Sequence, residues 1–68
     1  LEPEGLTTAI DMAKKANEND QLRKEGKELS QRILDLLYEN EGSHGAMALA
    51  CLLTASVIGE MQNKRKNP

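Results

Sequence analysis

Sixty-eight residues make one domain at most, and a single Cys and a single His exclude both an internal disulfide framework and a four-ligand structural zinc site. Nine basic and eleven acidic residues, intermixed to a net charge of −2, give no electrostatic footprint for wrapping nucleic acid. With no Phe, no Trp, one Tyr and seven Ala, the apolar 38 % supplies little side-chain area, so so small a domain is expected to gain stability by self-association.

Residues 1–6 contain Pro3 and Gly5 and read as a frayed lead-in. Thr7 or Thr8 then caps a first helix, with Asp11 close to the positive end of its dipole. Leu6, Ile10, Met12, Ala13 and Ala16 form its one apolar face. The run Asn17, Glu18, Asn19, Asp20 favours caps over helix interiors, because these short polar side chains compete for the backbone. Across that run the apolar face also jumps by about half a turn, so a break is expected there.

A second helix is expected over residues 20–39. Leu22, Gly26, Leu29, Ile33 and Leu36 recur at spacings of four and three, and Leu34 and Leu37 widen the stripe. The opposite face carries Asp20/Lys24, Lys24/Glu28 and Glu28/Arg32 at i, i+4, each pair contributing about 0.2–0.5 kcal/mol. Leu22, Leu29 and Leu36 stand at heptad spacing, but two to three heptads interrupted by Gly26 fit bundle packing better than a discrete zipper. Asn40 or Gly42 supplies a left-handed C-cap and Ser43 the next N-cap, a connection short enough to make the flanking helices antiparallel neighbours.

The third helix is expected over residues 43–63. Between Ala46 and Ile58 only Thr54 and Ser56 are polar, and these thirteen residues fall short of the roughly 20 that span a bilayer. A helix apolar nearly all round must be covered on more than one side. Small residues pattern it, Ala46 with Ala50 and the run Ala48, Cys51, Ala55, Gly59, and such stripes admit a close helix neighbour.

The fold class follows as all-α: a short N-terminal helix plus an antiparallel helical hairpin, dimerising into a four-helix-type bundle, with residues 1–68 one domain frayed at 1–6 and 64–68. The hairpin core is expected from Leu22, Leu29, Ile33, Leu36 and Leu37 against Leu49, Leu53 and Val57. Ala48, Cys51, Leu52, Ala55, Ile58 and Gly59 are expected to face the second copy or a protein partner.

No catalytic, cofactor-binding or metal-binding set emerges: glycine-rich phosphate loops, zinc-type spacings and paired carboxylates in apolar surroundings are all missing from the sequence. His44 lacks a nearby nucleophile and orienting carboxylate and reads as a surface or capping residue. Cys51, on the same helix face as His44 at i+7, reads as a small hydrophobe rather than a reactive thiol, and Tyr38 as a lid on the edge of the core. Lys64, Arg65 and Lys66 complement the negative end of the third helix. The chain therefore reads as a non-enzymatic, adaptor-like homodimer that binds a protein partner, without a membrane span. The lone thiol and the absence of a signal-like N-terminus suggest the cytoplasm. The alternative is a small nucleic-acid-binding regulator using helices 1 and 2 and the basic tail. A third reading, peripheral attachment to a membrane through helix 3, is disfavoured because that helix lacks a Lys-rich polar face.

Overall fold

Pro3 sits in the first turn of a helix, where a proline's missing N–H is no loss and its fixed φ is already helical. The computed structural model describes residues 3–66, folded into α1 (Pro3–Asn17), α2 (Asp20–Glu39) and α3 (His44–Lys66), with no strand among the described residues. Leu1, Glu2, Asn67 and Pro68, where fraying is expected, lie outside them, and so does the side chain of Lys66.

The outer ends of α1 and α3 differ from expectation, whereas the breaks and the bounds of α2 do not. Residues 3–6 are helical, so Thr7 and Thr8 lie inside α1 and donate their hydroxyls back to the carbonyls of Pro3 (2.8 Å) and Glu4 (3.0 Å) instead of capping. Asn19 caps α2, its Oδ1 accepting the Leu22 N–H at 3.0 Å. Arg23 then ties the two helices together. Its guanidinium donates to the Asn17 carbonyl at the end of α1 (2.7 Å) and pairs with Asp20. Among the described residues this i, i+3 pair forms, and the three expected i, i+4 pairs do not.

At the other end of α2, Asn40 donates its side-chain amide to Leu36 O (2.9 Å) and its backbone N–H to Leu37 O. The left-handed position falls on Glu41, at φ 50°, and not on Asn40 or Gly42. Ser43 caps α3 as expected, its hydroxyl accepting the Ala46 N–H at 3.1 Å. The helix then runs past Asn63 and takes Lys64 and Arg65 into its last turn.

The closest packing is α1 on α3, not α2 on α3. Gly5 and Gly59 bring the two backbones into contact: a Cβ added at Gly59 would collide with the carbonyl of Gly5, and one added at Gly5 would lie 2.5 Å from the carbonyl oxygen of Ser56. Further along, the Thr8 hydroxyl is 3.0 Å from the Asn63 side chain. The register rises together on both helices, so α1 and α3 run parallel, and α2 returns antiparallel between their ends. Helices α2 and α3 follow each other antiparallel across a short turn as expected, but α2 barely touches α3 instead of packing on it. A Cα radius of gyration of 13.1 Å, against about 10.9 Å for a compact domain of this length, reflects the splayed arrangement.

Candidate interaction surface

Helix α3 is apolar on three sides, and the three meet different fates. One side is filled by α1. Gly59 and Ser56 are buried there, and Ala55 is half-buried. Gly59 is therefore not available to a partner as expected, because α1 already occupies the approach that its missing side chain allows. The sequence signal for this contact lies in the pairs Gly5/Ala9 and Ala55/Gly59, each small residues four apart.

The second side faces α2 across an open groove of about 470 Å³, walled by Ile33, Leu36 and Leu37 on α2 and by Ala50, Cys51, Thr54, Ala55 and Ile58 on α3. Cys51 and Ile58 thus face α2 of their own chain, where they are expected to face another. Both remain exposed because α2 stands off. Leu37, near the joined end of the two helices, is half-buried, whereas Leu36 is 60 % exposed.

The third side is the stripe Leu49, Leu53 and Val57, at i, i+4 and i+8. These residues, assigned from sequence to the hairpin core, are 49, 45 and 53 % exposed. At 3.6 residues per turn Leu53 points about 160° away from Cys51 and about 120° from Gly59, so the stripe faces neither α2 nor α1. On α3 the residues expected in the hairpin core stand exposed, and three of those expected to face a partner, Cys51, Ala55 and Ile58, line the groove toward α2 instead. The cause is that helix 1 takes the small-residue face, rotating α3 about its axis relative to a simple hairpin.

The other residues singled out from sequence are dispersed. Leu22 and Leu29 are exposed on α2, Leu52 and Ala48 on α3, and Tyr38 lies open at 61 % exposure rather than covering a core. His44 stands exposed at the start of α3, and Lys64 and Arg65 at its end. Among the described residues, no three His, Cys, Asp or Glu side chains gather closely enough to hold a metal ion. His44–Arg65 is, by length and composition, long and apolar enough to cross a membrane. The argument from residues 46–58 alone therefore does not exclude a span, because the helix continues at both ends of that run. Comparison with protein-family models, curated proteins and solved structures finds no match.

Proposed function

We propose that the protein is a non-enzymatic interaction module that acts as a homodimer and binds a helical segment of a protein partner. The observation that carries this is surface area. The folded chain exposes 5763 Å², where a monomeric protein of 7.5 kDa is expected to expose about 4,250 Å². Among the described residues no large hydrophobic side chain is buried. The excess of about 1,500 Å² per chain exceeds the about 800 Å² that each side of a standard interface covers, and falls in the range of permanent dimers.

The partner is supported by the α2–α3 groove, which is concave, apolar and open along its length, the form that receives an amphipathic helix through anchors at i, i+3 and i+4. The nucleic-acid alternative has less to rest on. At the α1–α2 junction Arg23 spends its guanidinium on Asn17 and Asp20, which leaves it poorly placed to reach phosphate.

Sedimentation equilibrium over a wide concentration range, with circular dichroism on the same samples, tests the reading. A helical dimer whose helicity falls as it dissociates supports it. A cooperatively folded monomer at every concentration overturns it.

A further inference from the structure

The homodimer reading leaves open which surface the two copies share, and the shape of the molecule answers that. A two-fold interface uses the same patch on both subunits. A concave groove cannot fill its own copy: two grooves face to face enclose a void. The stripe Leu49, Leu53, Val57 is a convex ridge of one helix, and ridges of this i±4 kind interdigitate with their own kind. We infer that the second copy docks along this stripe, α3 on α3 in antiparallel sense, with Leu53 at the two-fold axis and the α2–α3 grooves left open on the outside.

Three features of the chain fix this arrangement. From Gly45 to Gly59 α3 carries no charged side chain, and charge depletion marks the centre of a permanent interface. Glu60 follows on the same arc of the helix, half-buried beside Gly5 of α1 where the ridge ends. A parallel pair would set Glu60 against Glu60 and the basic last turn against its twin. An antiparallel pair centred on Leu53 sets Glu60 against Ala46, and places Lys64 and Arg65 beside Gly42 and Glu41 of the second copy, where opposite charges and opposed dipoles meet. The surface excess of the whole chain, groove included, is of the size a permanent dimer covers, and the exposed ridge of Leu49, Leu53 and Val57 belongs to it.

A bilayer is the other occupant that could cover α3. Helix α1 lies against residues 56–63 of that helix, so lipid sheathing His44–Arg65 would draw the α1 carboxylates Glu4 and Asp11 toward hydrocarbon, at a cost of several kcal/mol. A second copy carries no such cost.

The test uses the full chain. In sedimentation equilibrium, L53E is expected to raise the dimer dissociation constant at least about 100-fold, the scale of a central anchor residue, while L36E in the groove changes it less than about threefold. A readout independent of disruptive substitutions comes from cysteine oxidation. The wild-type chain, with Cys51 turned from the axis, remains free of interchain disulfide. The C51S/L53C chain forms a covalent dimer. C51S/L49C links to C51S/V57C but not to itself, which reports the antiparallel sense.

If the wild-type chain is a dimer that L36E dissociates and Cys51 cross-links, the groove is the shared surface and the inference fails while the homodimer stands. If the wild-type chain is a folded monomer at every concentration, both fail. If it is monomeric in buffer and co-sediments with phosphatidylcholine–phosphatidylglycerol vesicles, α3 is covered by lipid and both fail in favour of a membrane.

Discussion

At Gly59 a single hydrogen in place of a methyl group lets two helices touch, since the Cβ of any other residue would overlap the carbonyl of Gly5. G59A is therefore expected to push α1 off α3 and destabilise the fold by about 1–3 kcal/mol, the usual cost of overpacking a tight contact. Gly26 is the internal control, because its missing side chain faces open space. G26A is expected to stabilise by about 0.5–1 kcal/mol through helix propensity alone. Glu41 offers a third case: held at φ 50°, it carries the steric cost of an L side chain in the left-handed region. E41G is expected to gain up to about 1 kcal/mol, less the extra backbone entropy of glycine in the unfolded chain. Urea titrations followed at 222 nm on the three variants check the signs. A stabilised G59A would mean that the α1–α3 crossing is not as close as described, and a destabilised G26A that Gly26 does not face open space.

At the scale of elements, the parts of the fold written in local chemistry are those that sequence reading recovers. Asn19 and Ser43 announce their caps by residue type and position, and the polar run from Asn17 to Asp20 marks a break because its side chains prefer turns. S43A is expected to cost about 1 kcal/mol, read as a lowered urea midpoint, since the Ala46 N–H loses its acceptor. Pro3 was legible as well, though its value at the start of a helix competes with its record as a breaker, and treating residues 1–6 as frayed favoured the wrong role. What sequence could not supply is the rotation of α3. A helix apolar on every side has no preferred inward face, so periodicity cannot say which stripe meets which neighbour. Only the fit of Gly5 onto Gly59, a contact between distant positions, decides it. For the same reason the candidate surface is half legible: its residues on α3 are recognisable as apolar material that needs covering, but their partition between groove, α1 contact and outer ridge is not.

At the scale of the whole molecule, the described residues bury no large hydrophobic side chain, and in the proposed homodimer stability is tied to concentration. Folded dimer and unfolded monomer would then exchange by mass action, so the thermal midpoint is expected to rise with protein concentration by several degrees per tenfold step, as calorimetry at a series of concentrations would measure. A midpoint independent of concentration would indicate that one chain is stable unaided. The proposed dimer would also account for the splayed helices and the extended radius. Helix α2 is tied to α1 by Arg23 at one end and joined to α3 by the short turn at residues 40–43 at the other, and its middle stands across the open groove from α3.

The crossing of Gly5 with Gly59 joins α1 to α3 across 54 positions, and between these two helices lies the most extensive helix contact among the described residues. Small helical proteins usually fold fast because their neighbours in space are neighbours in sequence; this contact must be found across both intervening turns and all of α2. While α1 searches, the α3 of another copy presents the same glycine, and the competition between the two is one of local against bulk concentration. Helix α1 is thus the segment through which crowded chains can exchange parts, and through which order of synthesis matters: it emerges before α3 and must wait for it.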